Sequence, residues 1–134
     1  MFSATLDRRF PLILRISGIV TMLAGLQFLG PAEFLGALGM KVGDSTGLFY
    51  ARHWGALVLC LGALIVAAAS RPALRVPVVA AAAAEKLALV VMVMLAWQDP
   101  ALAGLHGAAV FDAVCVLLYA LWLLQAGKKP SIDR

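Results

Sequence analysis

Four long apolar runs, residues 11–30, 48–69, 76–97 and 103–126, are separated by short connections. Each run is close to the roughly 20 residues that a helix needs to cross a hydrocarbon core. Composition closes off the alternatives. The 134 residues are 63% hydrophobic and 13% charged, with a mean hydropathy of +0.97. A single interior of that size cannot hide so much apolar surface from water, which excludes a soluble domain. Sparse charge excludes a disordered chain, and two cysteines are too few for a disulfide-stapled miniprotein. The expected fold is all-α: one integral membrane domain over residues 1–134, a bundle of four transmembrane helices.

The first run follows Arg8 and Arg9 as a secretory signal would. Arg15 interrupts it, however, and no small-x-small cleavage pattern precedes Pro31, so it reads as a retained helix. Net charge is +4 and the pI about 9.5, but the basic residues cluster beside apolar runs rather than on one polar face, which speaks against nucleic acid. Arg8, Arg9, Arg71, Arg75, Lys128, Lys129 and Arg134 fall on one side of the expected topology. Lys41, Glu33, Asp44 and Asp99 fall on the other. That bias places both termini and the 70–75 turn in the cytoplasm, and the 31–47 and 98–102 connections outside; in a bacterium the membrane would be the inner one.

Local signals agree with these boundaries. Pro11 suits an early helical position, Asp44, Ser45 and Thr46 offer caps, and Arg71 supplies a cation where the second run ends at Pro72. Phe28, Phe49, Tyr50, Trp54 and Trp97 gather at the outer boundary, and Phe10, Tyr119 and Trp122 at the inner one. Phe34, Leu35, Leu38 and Met40 recur at helical spacing among glycines, which predicts a short interfacial helix in the first outer loop. Three rows of small residues, Ser17-Thr21-Gly25, Ala51-Gly55 and Ala80-Ala84-Ala88, are expected as contact faces of the bundle, with an oligomer interface the alternative for one of them.

The ionisable residues within the runs need partners, because charge in hydrocarbon costs several kcal/mol unless paired, hydrated or snorkelled. Arg15 and Arg52 lie within about 6 Å of a helix end and can reach headgroups. Glu85 and Lys86 lie about 13–18 Å from either end of the third run, and Asp112 about 12 Å into the fourth. A lysine side chain spans the resulting depth difference of about 4 Å, so a Lys86–Asp112 pair is predicted. Neighbouring helical positions point about 100° apart, which leaves Glu85 to find Arg52, Arg15, a histidine or a proton.

The cluster reads in three ways: polar glue that fixes bundle register, a cavity that binds an amphiphile's head or passes protons, or a docking surface for another membrane subunit. His53 and His106 begin the even-numbered runs on the same side. With acids or Met92 and Met94 nearby they raise the idea of a metal or haem site, yet no HxxH, HExxH or CxxCH spacing supports it, and the sequence names no cofactor. Cys60 and Cys115 form no CxxC pair and are expected to pack as small apolar residues. A phosphate-binding glycine loop and a GxSxG elbow are also missing.

The run Phe49-Tyr50-Ala51-Arg52-His53-Trp54-Gly55, followed by Gly62, Arg71-Pro72 and Glu85-Lys86, resembles bacterial four-helix membrane proteins of the broad DoxX-like type. That resemblance implies a small four-helix bundle, linked in some relatives to quinone or thiol redox metabolism, although no redox cysteine motif accompanies it here. The leading functional expectation is a non-enzymatic binding or accessory protein. Its cavity, between Arg52, His53, Glu85, Lys86 and Asp112, would accept a lipid-like or quinone-like molecule. Two further classes stay open: an oligomeric transporter or channel, and a membrane-embedded isomerase or oxidoreductase using Glu85, Asp112 or His53 as proton carriers. The expected partners are the lipid bilayer, such a ligand, and a second copy or a larger membrane complex.

Overall fold

The structure, a computed structural model, describes residues 2–127; Lys128, Lys129 and Arg134, counted above for orientation, lie outside them. The described residues form five α-helices: α1 (Phe2–Gly25), α2 (Pro31–Ala37), α3 (Ser45–Ser70), α4 (Pro72–Leu95) and α5 (His106–Ala126). Short 3₁₀ turns cover Leu26–Phe28 and Pro100–Leu105, and no strand occurs among them. Four of the helical segments are long and apolar enough to cross a membrane: Thr5–Phe28, Ser45–Ser70, Pro72–Leu95 and Pro100–Ala126. Their directions alternate, so residues near both chain ends and the α3–α4 turn share one end of the bundle, the termini end. The α2 segment and the 3₁₀ turn before α5 share the other, the loop end.

The helices extend beyond the apolar runs for identifiable reasons. Leu6, Phe10 and Leu14 recur every fourth residue and are all buried, so the core draws α1 outward past the charged Arg8 and Arg9. Pro11 therefore lies inside the helix and not at its start. Phe10 stacks on Trp122 at 4.4 Å and meets Tyr119 edge-on at 6.2 Å. These three aromatics, which sequence places near the inner boundary, are buried packing residues. The Tyr119 and Ser17 hydroxyls share a hydrogen bond of 2.5 Å across α5 and α1.

α1 packs chiefly on α3, α4 on α5, and the two pairs join through α3 and α4. The α1–α3 contact is built on glycine. A Cβ on Gly62 would stand 2.7 Å from the Met22 nitrogen and 2.8 Å from the Gly18 carbonyl oxygen. One on Gly25 would stand 2.5 Å from the Leu59 nitrogen. Gly18 and Gly25 on one helix and Gly55 and Gly62 on the other are each seven residues apart, two helical turns, so each pair lies on one face. Ser17 and Thr21 are buried as expected, and their hydroxyls donate to the Ile13 and Ser17 carbonyls within α1. Ala80, Ala84 and Ala88 are exposed; the buried face of α4 runs through Val79, Ala82, Lys86 and Val93 instead.

Caps close the connections. The Asp44 carboxylate accepts from the Gly47 N–H at 2.7 Å and starts α3, while Asp99 accepts from the Ala101 N–H at 2.9 Å. The end of α3 is capped by Arg75 and not by Arg71: its guanidinium donates to the Ala68 and Ala69 carbonyls at 3.1 and 2.9 Å. A short helix does form in the first long connection. α2 ends in a Schellman motif, with Met40 N–H donating to the Leu35 carbonyl, Gly39 N–H to that of Gly36, and Gly39 at φ +76°. The carbonyl of Leu38, just after α2, approaches Gly104 in the 3₁₀ turn before α5 so closely that it leaves no room for a Cβ there.

Candidate functional site

α5 buries Ala109, Asp112, Cys115, Tyr119 and Trp122, a succession of steps of three and four residues that forms one continuous stripe. Asp112 thus occupies a core position, and Lys86 does the same on α4. Their side chains meet at the α4–α5 contact, Lys86 Nζ to Asp112 Oδ1, at 2.5 Å. Lys86 is 2% exposed and its ammonium also lies 5.6 Å from the Phe111 ring centre. Matching depth along the two helices, read from sequence, thus paired two groups that the structure joins. Removed from water, each ion depends on the other for compensation.

Glu85, one helical step from Lys86, is half-buried and lines the same inner cavity as the pair without bonding to it. It makes no hydrogen bond or ion pair with any described residue. It stands instead on the wall shared by two cavities. The inner one, about 310 Å³, lies at the centre of the bundle between Thr21 of α1, Val58 of α3, Lys86 of α4 and Asp112 of α5. The second, about 800 Å³, lies between α3 and α4 towards the loop end, roofed by Leu35, Met40 and Leu105. Trp54, Glu85 and Leu89 line both. Most of the remaining lining is apolar, which makes the carboxyl group and the Lys86–Asp112 pair the main polar features of the inner chamber.

The other two sequence candidates stand elsewhere. Arg52 and His53 are exposed on α3 and line neither cavity; the His53 ring stacks on Phe49 at 6.3 Å. Residues 52 and 53 are two steps and one step before Trp54, and a turn of about 100° per step directs only the tryptophan inward. Arg15 is also exposed. His106 stacks on Trp97 at 3.8 Å, and its Nε2 is buried without a hydrogen-bond partner among the described residues. Among those residues, no group of three or more His, Cys, Asp or Glu side chains is placed to hold a metal ion. Cys60 is exposed and Cys115 buried, both as free thiols.

Two contributors are not evident from the sequence. Trp54, placed near the outer boundary by sequence, lines both chambers, and its indole N–H has no hydrogen-bond partner among the described residues. Gln27, 1% exposed, donates from Nε2 to the Ala51 carbonyl at 2.7 Å and closes the loop end of the larger cavity. A survey restricted to ionisable groups passes over an amide; an uncharged polar residue at the edge of an apolar run is the available signal. No family model matches the chain, and no curated protein or solved structure is significantly similar to it.

Proposed function

We propose that this chain is a non-enzymatic integral membrane protein that binds a lipid-like or quinone-like amphiphile, with the ligand's apolar body in the larger cavity and its polar head at Glu85 and Trp54. One observation carries this reading: a half-buried carboxyl group without a hydrogen bond or ion pair, on the wall common to two mostly apolar cavities. A ligand head that hydrogen-bonds Glu85 and the free indole N–H gains contacts the chain leaves open, and the apolar lining accommodates its hydrophobic body. Lys86 and Asp112 compensate each other and serve as the chamber's fixed floor.

The membrane placement in this proposal is an inner membrane of bacterial type, with the termini end in the cytoplasm and α2 at the outer interface, where the charge bias and the exposed Leu38 favour it. The resemblance to DoxX-like proteins is compatible with a small binding or accessory role. The test is mass spectrometry of molecules retained through gentle detergent extraction, comparing the unaltered chain with Glu85→Gln. A stoichiometric amphiphile lost from a folded Glu85→Gln protein supports the proposal. Retention of the same molecule by both proteins overturns the assignment of Glu85.

A further inference from the structure

The charge balance around the two chambers narrows the class of ligand, on the premise of the binding role just proposed. Lys86 and Asp112 are joined at 2.5 Å and are neutral as a unit. Glu85 then adds one carboxyl group with no ion pair of its own, since the Lys86 ammonium that also acts on it is bound to Asp112. The cations that could have compensated it are turned elsewhere: Arg15 and Arg52 are exposed and line neither cavity. Lys41 does line the larger cavity, but it is exposed in the loop-end connection. Glu85 is ten residues, about 15 Å along the helix, from that end of α4.

Two aromatic side chains add a second, independent feature. Trp54 borders both chambers and Tyr50 the larger one, and among the described residues no cation stands over either ring. By contrast the Phe111 ring already has the Lys86 ammonium near it. A carboxyl group without an ion pair of its own, beside aromatic rings that carry no cation, in a mostly apolar chamber of about 800 Å³, is complementary to one chemical class. We infer that the cavity binds a lipophilic monocation, an amphiphile whose head is a protonated amine or an onium group, with that charge at Glu85 and against the Trp54 ring. The cation supplies the charge that the chain omits, and the ring quadrupole stabilises it where water is scarce. Tyr50 is 65% exposed and Met92 66%, so the larger cavity is bordered by residues open to the bundle's exterior between α3 and α4, a lateral route suited to a molecule dissolved in lipid.

Equilibrium dialysis of the purified full chain in mild detergent tests this with three probes: tetraphenylphosphonium, neutral triphenylphosphine oxide and decylubiquinone. Saturable binding of one tetraphenylphosphonium per chain is expected, at least tenfold tighter than triphenylphosphine oxide, weakened tenfold or more in Glu85→Gln and restored in Glu85→Asp. Should Glu85→Gln fail to give a monodisperse protein, Trp54→Leu is expected to weaken tetraphenylphosphonium binding severalfold. Equal binding by a folded variant and the unaltered chain overturns the inference. Saturable decylubiquinone binding without tetraphenylphosphonium binding rejects the cation class and leaves the amphiphile reading standing. Absence of saturable binding of all three probes rejects the inference, while the retained-molecule experiment judges the broader reading separately.

Discussion

At the residue scale the Lys86–Asp112 pair sets the largest single-site cost. Replacing Lys86 by Met removes the ammonium and strands the Asp112 carboxylate at a position 6% exposed, with no second cation in hydrogen-bond reach among the described residues. Breaking a buried pair from one side costs about 3–5 kcal/mol, because the surviving charge loses its compensation. Lys86→Met is therefore expected to be strongly destabilised in denaturant titrations of the purified protein. The double variant Lys86→Met/Asp112→Leu should recover most of that loss, since apolar replacement of both partners leaves no charge to compensate. A double variant as unstable as the single one would show that the packing of the lysine stem matters and the charge does not. Glu85 has no pair to break, so Glu85→Gln should move the same titration by less than about 1 kcal/mol. The sequence exposes this contrast only in part. Depth along a helix, countable from residue numbers, joins Lys86 to Asp112. The direction in which α3 presents Arg52 and His53 depends on how that helix is rotated against α1, and hydropathy does not encode it.

At the scale of elements, the two glycine pairs and the alanine row give opposite expectations for the same chemical change. Gly62 admits the backbone of α1 so closely that a methyl group would meet the Met22 nitrogen and Gly18 oxygen below 3 Å, and those atoms cannot rotate away. Gly62→Leu must separate α1 from α3, and overpacking of this kind costs about 1–3 kcal/mol or more. Ala84 is exposed on α4, so Ala84→Leu is expected to leave thermal unfolding of the isolated chain within about 0.5 kcal/mol. Destabilisation by Ala84→Leu matching that of Gly62→Leu would mean that the alanine row packs inside the bundle after all. A search for small residues four apart finds both rows alike; the seven-residue spacing of Gly18 and Gly25 and of Gly55 and Gly62 is the pattern that marks the real contact. The α3–α4 turn carries its own test. Arg75→Gln leaves the Ala68 and Ala69 carbonyls without their charged donor, a loss of about 1.5–3 kcal/mol, whereas Arg71→Gln, at an exposed position with no such bond, should be near neutral.

For the whole molecule, the alternation of four long helices turns a scattered set of charges into an orientation. Arg8 and Arg9 on α1, Arg71 at the turn and Arg75 on α4 all come to the termini end. The loop end holds Lys41 together with Glu33, Asp44 and Asp99, and two of those acids are engaged in capping. Lysine and arginine in short connections are retained on the cytoplasmic side, so the loop end, with α2 and the larger cavity beneath it, is expected to face outward. Four spans are countable from sequence because hydrocarbon thickness fixes their length. The cavities are not, since their walls combine residues of α1, α3, α4, α5 and the loop-end connections, a property of three-dimensional packing. Orientation can be checked with a membrane-impermeant maleimide on bacterial cells expressing single-cysteine additions. Glu33→Cys, exposed on α2, should label with only the outer membrane permeabilised; Ser70→Cys, exposed at the α3–α4 turn, should label only once the inner membrane is also opened. The native Cys60 and Cys115 lie within apolar helices and should react in neither condition, which gives the assay its background. Labelling of Ser70→Cys before Glu33→Cys would invert the topology and place the larger cavity on the cytoplasmic leaflet. The bundle itself would be unchanged, and a ligand would then reach Glu85 from the opposite side of the membrane.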